Sequence, residues 1–355
     1  MITSEYEFLR GFLKSRSGLV LSNEKQYLVE SRLVPVARRH DLASLSELIN
    51  SLRKPGTKQL QEDVVEAMTT NESFFFRDKT PFEHFKEEML PKLLEKRAAR
   101  KKIRIWCSAA STGQEPYSLA MILRENKIKT SSYQFDILGT DISKEVLDKA
   151  RLGQYSQFEV QRGLPIQMLM KYFTQQGEIW QVSNDLRAMV QWKFLNLLEN
   201  FSHLGEFDIV FCRNVLIYFD QPTKIDILNR LAKLIPADGY LVLGAAETVV
   251  GLTDQFEPVP HMRGLYRPKQ SAGKQPEPQK MANSLKAEPI SARPAVGKPH
   301  VPSFSSPATN TPATQNTMRT NSASAPDKPQ KFDREKLNAS LDSLRRLNAQ
   351  SSNKG

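Results

Sequence analysis

Residues 103–123, IRIWCSAASTGQEPYSLAMIL, constrain this chain more than any other stretch. Ile103-Arg104-Ile105-Trp106-Cys107 is a short run rich in β-branched and aromatic residues, the pattern of a buried strand. Ser108-Ala109-Ala110-Ser111-Thr112-Gly113 are all small. From Gln114-Glu115-Pro116 onward, Leu119, Ala120, Ile122 and Leu123 recur with an apolar period. Proline suits a first helical turn, where its fixed φ fits and its missing N–H has no partner to lose. The pattern predicts strand, tight small-residue turn, helix. Such a turn lets a ligand lie against bare backbone, although an ordinary βα loop accounts for the same residues.

Further units of this kind follow. Residues 133–139 (YQFDILG) form a second apolar run ending in Thr140-Asp141-Ile142-Ser143. A carboxylate at the tip of a second strand can accept hydrogen bonds from both ribose hydroxyls of a nucleoside. Asp141 is equally a candidate cap for the helix at 144–152, with Ser143 as the rival. Residues 153–192 are irregular, with a short helix near 165–173 and strands near 178–182 and 189–194. An insertion of that kind makes a subdomain. Residues 207–212 (FDIVFC) are the cleanest buried strand, followed by Arg213-Asn214-Val215-Leu216-Ile217-Tyr218-Phe219. A helix at 223–235, a strand at 240–245 and edge strands at Val249-Val250 and 264–267 complete the series. Alternating strands and helices predict a doubly wound, mostly parallel α/β sheet with right-handed crossovers. In the usual order the strands bearing Cys107 and Cys212 are neighbours, and the ligand crevice lies beyond their C-terminal ends.

Residues 1–75 read as an all-helical domain of four amphipathic segments. Asn23 and Gln26 resemble a capping box for the second, which ends in Arg38-Arg39-His40 with Arg32 further back. These cations suit a helix C-terminus and equally a basic docking face. In Thr70-Asn71-Glu72-Ser73-Phe74-Phe75-Phe76-Arg77, three consecutive phenylalanines cannot share one helix stripe. They read as a hinge plug or a lid over the βα site. A helix at 82–100 ends in KRAARKKIR, read as a solvated helix end.

Composition bounds the rest. A 39% hydrophobic fraction over 355 residues is low for a fully globular chain, which predicts a polar tail. Residues 269–331 are rich in Pro, Ser, Ala, Thr, Asn and Lys and are expected to be disordered. Residues 332–350 regain helical spacing through Leu337, Leu341, Leu344 and Leu347, a short amphipathic helix for docking a protein partner. A net charge of +11 favours an acidic partner surface, while serving solubility as well. The two cysteines, Cys107 and Cys212, predict buried thiols in a reducing compartment. Five scattered histidines show no metal-ligand spacing, so no metal is expected. The first residues carry acids and no sustained apolar run. Neither leader nor membrane insertion is expected, and the expected location is the cytoplasm.

TNESFFFR, AASTGQEPYSLA, ILGTDIS, FLNLLE and FDIVFCRNVLIYFD occur in the order and spacing of CheR-type chemoreceptor glutamate methyltransferases, which residues 1–268 resemble. The resemblance implies a Rossmann-like methyltransferase domain at 76–268, with a small β-subdomain about 173–195. It implies transfer of a methyl group from S-adenosylmethionine to glutamate side chains on bacterial chemoreceptor helices. The cofactor would contact Asn71, Ser73, Arg77, Glu115, Asp141, Asn196, Leu197, Arg213 and Asn214. Ser73 stands where the family often has threonine, and the hydroxyl is kept. Arg77 and Tyr218 are the catalytic candidates, by balancing charge and orienting the substrate. Arg32, Arg38 and Arg39 would face the acidic methylation helices. The region Phe173-Thr174-Gln175-Gln176-Gly177-Glu178-Ile179 is shorter and poorer in glycine than in members that hold a receptor C-terminal peptide. Independence from that tether is therefore expected.

The chemistry agrees. A glutamate carboxylate, with pKa ~4.3, is already an anionic nucleophile at neutral pH and needs alignment in a dry site rather than a base. Rival activities fit less well. A nicotinamide enzyme wants GxGxxG, and Gly113 is the only glycine in this turn. A nucleic-acid methyltransferase would carry an Asn/Asp-Pro-Pro-aromatic run where RNVLIYF stands, so no nucleic-acid partner is expected. The non-enzyme alternative is a receptor-binding or cofactor-sensing scaffold of the same fold.

Overall fold

The computed structural model describes residues 2–269. The expectations for the linker and terminal helix, beyond Lys269, lie outside the described residues. Four helices form the N-terminal domain: α1 (Thr3–Ser17), α2 (Gln26–Arg39), α3 (Leu45–Leu52) and α4 (Lys58–Met68). Their apolar stripes meet in one core through Leu9, Leu13, Leu33, Val36, Ile49 and Val64, all fully buried. Ser44 caps α3 by accepting from the Glu47 amide. α2 departs from expectation at its start. A 3₁₀ turn, Asn23–Lys25, precedes it, so Gln26 opens the helix instead of standing at its third position.

Ten strands follow: β1 (Lys102–Cys107), β2 (Gln134–Asp141), β3 (Gln154–Ser156), β4 (Phe173–Gln176), β5 (Ile179–Val182), β6 (Val190–Phe194), β7 (Ile209–Cys212), β8 (Tyr240–Leu243), β9 (Phe256–Pro258) and β10 (Leu265–Pro268). Seven make one twisted sheet in the order β6-β2-β1-β7-β8-β10-β9, and three make a small antiparallel sheet, β3-β5-β4. The large sheet is parallel from β6 to β8, and β10 runs antiparallel between β8 and β9. β1 and β7 are adjacent, as expected of the strands bearing the two cysteines. One apolar layer lies on each face, with Cys107 in one and Cys212 in the other.

Four expectations need correction. β6 is not part of the small subdomain. It pairs in parallel register with β2, Ile137 to Val190 through Asp141 to Phe194, and Trp192 packs edge-on against Tyr117 at 5.5 Å. The small sheet draws its third strand from residues 154–156 instead. Val249-Val250 forms a turn rather than a strand, with Val249 buried and Val250 exposed, and the sheet edge is β9. The helix expected over 82–100 is broken by a π-turn, Phe85–Met89, between Thr80–His84 and Leu90–Lys96. Its basic end is not simply solvated. Arg97 is buried, pairing through Nε with Asp208 at 2.7 Å and through both terminal nitrogens with Asp238.

Candidate functional site

The site grows from the C-terminal tips of β1, β2 and β7. After β1 the small-residue turn crosses to the helix Gln114–Glu125, with Gly113 at φ +96°, a backbone shape that L side chains rarely adopt. Ser111 also sits at positive φ, +49°. That conformation directs its amide to Asp141 Oδ2 at 2.8 Å, while its hydroxyl donates to the Asn71 carbonyl at 2.7 Å. The turn thereby joins the end of β2 to the chain arriving from the helical domain.

Asp141 is 7% exposed, and its carboxylate accepts from the backbone amides of Ser111 and Ser143. Burial pushes its pKa up to about 6 against these two bonds, and the nearby Glu66 carboxylate adds to the rise. The helix Lys144–Leu152 is capped by Ser143, which accepts from the Val146 amide. Asp141 is therefore free of that duty, and its carboxylate faces the cleft.

Arg213, 5% exposed, organises the opposite wall. It donates to Glu115 at 2.6 Å, to Asp78 at 2.7 Å and to the Arg77 carbonyl at 2.9 Å, leaving a buried Nε without an acceptor. Phe76, Asp78 and Lys79 all have positive φ, so Arg77 lies in a strained segment that Arg213 pins from below. Arg77 itself donates to the Glu72 carbonyl and reaches over the Phe74 ring.

These groups line one cleft of about 950 Å³, the space open to solvent included. Asn71, Ser73, Arg77, Glu115, Asp141, Asn196, Leu197, Arg213, Asn214 and Tyr218 all border it. Ser17, Leu19, Thr69 and Thr70 of the helical region close its remaining side. Asn196 donates its amide to the Arg16 carbonyl at 2.7 Å, and the Val20 amide donates to the Tyr218 carbonyl at 2.9 Å. The helical domain is thus part of the wall.

The docking trio divides. Arg38 and Arg39 are exposed at the end of α2. Arg32 turns inward and donates to the carbonyls of Met68 and Thr69 at 2.9 and 2.8 Å, satisfying the open end of α4. Sequence reasoning missed Glu247. Its carboxylate accepts from the amides of Asn214, Val215, Ile217 and Gly244 at 2.7–3.2 Å, fixing the loop that carries Asn214 and Tyr218. A lone glutamate in a turn has no spacing signature. Among the described residues no group of three or more His, Cys, Asp or Glu forms a metal-holding arrangement.

The residues present fit S-adenosylmethionine. A small-residue floor admits a flat nucleoside, the buried Asp141 carboxylate suits ribose hydroxyls, and Arg77 suits a carboxylate. Residues 71–265 match the family model described as the CheR methyltransferase SAM binding domain, and residues 4–69 match the CheR all-alpha domain. Fold and site together define an S-adenosylmethionine-dependent methyltransferase. Chemotaxis protein methyltransferase 1 of Vibrio cholerae is 42% identical over 258 residues, 72% of this chain and 93% of that protein. Its counterpart in Pseudomonas aeruginosa is 41% identical over 272 residues, 75% of this chain and 98% of that protein. The Escherichia coli chemotaxis protein methyltransferase is 36% identical, covering 68% and 83%. The chain belongs to the CheR methyltransferase family.

Proposed function

We propose that this enzyme methylates glutamate side-chain carboxylates on the cytoplasmic methylation helices of bacterial chemoreceptors, and so serves adaptation in chemotaxis. The observation that carries the reading is the convergence of all nine expected cofactor residues, with Tyr218, on one cleft. When bound, S-adenosylmethionine supplies an electrophilic methyl group on a sulfonium sulfur. Asp141 accepts the ribose hydroxyls, Arg77 pairs with the cofactor carboxylate, and Glu115, held by Arg213, faces the remaining polar groups. The incoming glutamate is already anionic at neutral pH, so no side chain has to remove a proton. Tyr218 at the rim donates to that carboxylate and aligns it, and Arg77 balances its charge. Leu19, Leu195 and Leu197 add apolar wall to the cleft, which strengthens these contacts by excluding water.

Arg38 and Arg39 are the exposed cations that suit an acidic receptor helix; Arg32 contributes by holding the chain that enters the cleft. The β4–β5 hairpin turns through only Gly177 and Glu178, and we infer that no receptor C-terminal peptide is needed there. Transfer of labelled methyl groups to receptor cytoplasmic fragments tests the function. Base-labile label on glutamate supports it; cofactor binding without transfer to any fragment overturns it. Adding a receptor C-terminal peptide should leave the rate unchanged.

A further inference from the structure

One element grips two walls of the cleft. Residues 154–163 comprise β3, the short helix Gln157–Gln161 and the turn after it. Tyr155, 1% exposed, donates its hydroxyl to the Thr112 carbonyl at 2.7 Å, directly behind Ser111. Its ring packs edge-on against Phe75 at 5.0 Å. At the far end of the element, Arg162 pairs with Glu72 at 2.6 Å and lays its guanidinium 4.3 Å from the Phe74 ring centre. Gly163, at φ +85°, lies so close to the 71–77 segment that a Cβ there would stand 2.1 Å from the Phe75 carbonyl oxygen. The small antiparallel sheet therefore touches both the small-residue turn and the NESFFFR segment, although none of these three residues borders the cleft.

A non-glycine residue at positive φ persists only where its neighbours over-determine it. For Ser111 those neighbours are Asp141, Asn71 and, through the next carbonyl, Tyr155. We propose that Tyr155 is a positioning residue for cofactor binding. From within the β-subdomain its hydroxyl holds Thr112, and so keeps Ser111 in the conformation that aims its amide at Asp141. Arg162 steadies the other wall from the same element. The inference rests on the cofactor reading above. Burial keeps the Tyr155 phenol neutral throughout the working range, so it remains a donor at every pH of interest.

The test is calorimetric titration of the full-length chain with S-adenosylhomocysteine, in wild type, Y155F and Y172F. Tyr172 is the matched control, a buried phenol beside β4 that donates to Glu125, away from the cleft. Loss of one neutral hydrogen bond predicts a dissociation constant raised about 3- to 10-fold in Y155F, with wild-type affinity in Y172F. KM for S-adenosylmethionine should rise in step while kcat changes little. A second readout separates positioning from mere structure. The Ser111 amide lowers the Asp141 pKa, so loosening that bond should move the pH midpoint of ligand binding upward in Y155F only. Wild-type affinity and midpoint in Y155F overturn the proposal, as does equal weakening in both variants. Should Y155F not fold, R162Q carries the test, with a smaller loss of affinity expected and unchanged binding overturning the idea. A wild-type chain that binds no S-adenosylhomocysteine refutes the cofactor reading instead.

Discussion

Asp141 is held by two backbone amides, and its charge depends on pH. Its carboxyl group is raised to about pH 6 by burial, against 3.8 in an exposed aspartate. A group raised in the folded state favours the fold below its unfolded pKa and disfavours it as pH climbs through the folded value. From about pH 4 to 6 Asp141 therefore costs the empty protein increasing stability, in full above that, while in the proposed ribose role only its ionised form can accept from both hydroxyls. S-adenosylhomocysteine affinity should fall as pH drops below about 6, with thermal stability of the free protein moving the opposite way at this group. Affinity flat from pH 5 to 8 counts against the ribose role. Glu115 belongs to the same scale. Glu115→Gln preserves shape but removes the charge facing Arg213, and should weaken cofactor binding about 10- to 100-fold by titration. Asp141 was legible in the sequence because a strand tip fixes where its side chain emerges. Asp78 was not, because its pairing with Arg213 joins residues 135 apart.

At the scale of elements, alternating apolar runs and turn residues were enough to place β1, β2, β7 and β8 and the longer helices after β1, β2 and β7, but not the short helices Lys127–Thr130, Gln157–Gln161 and Asn184–Arg187. Sheet membership was a different matter. β6 reads as readily as a subdomain strand as a sheet edge, and only its pairing with β2 decides. The π-turn at Phe85–Met89 leaves the apolar period of 82–96 intact, so periodicity alone could not reveal it. The loop after β7 shows what pattern reading misses most. It has no regular ladder, and its shape comes from one carboxylate that collects four amides. Glu247→Gln replaces one acceptor oxygen with a donor that faces N–H groups. It should lower kcat/KM about tenfold or more through misplacement of Asn214 and Tyr218, with helix content unchanged by circular dichroism. Glu247→Asp should recover part of the loss, and wild-type kinetics in Glu247→Gln would remove the loop from the mechanism.

For the whole molecule, the helical domain is fastened to the sheet domain around the cleft rather than at a distance from it. Glu66 of α4 accepts from the Ser143 hydroxyl and the Lys144 amide, Glu62 pairs with Lys144 at 2.7 Å, and Lys14 pairs with Asp220 at 2.8 Å. The opposite end of the sheet is tied differently. Asp208, 1% exposed, accepts from Arg97, Arg100 and the Arg104 amide, binding the chain before β1 to the start of β7. Asp208→Ala leaves a buried guanidinium short of a partner and should cost about 3–5 kcal/mol of stability in urea unfolding. S-adenosylhomocysteine affinity of the folded protein should be unchanged, because this network lies at the other edge of the strands. The basic run at 96–104 suggested solvated charge, and no local pattern revealed the acids that lie about 110 and 140 residues from Arg97.

The central position of β1 has a consequence for the ribosome. β2 covers one edge of β1 soon after synthesis, but β7 begins only at Ile209, about 100 residues later. At ~5–20 residues per second, the other edge of Lys102–Cys107 waits on the order of 5–20 s in the nascent chain with its backbone groups unpaired. Such an edge pairs with any strand it meets. Slowed translation across residues 142–208 should therefore divert newly made enzyme into aggregates, even where the finished protein is fully stable.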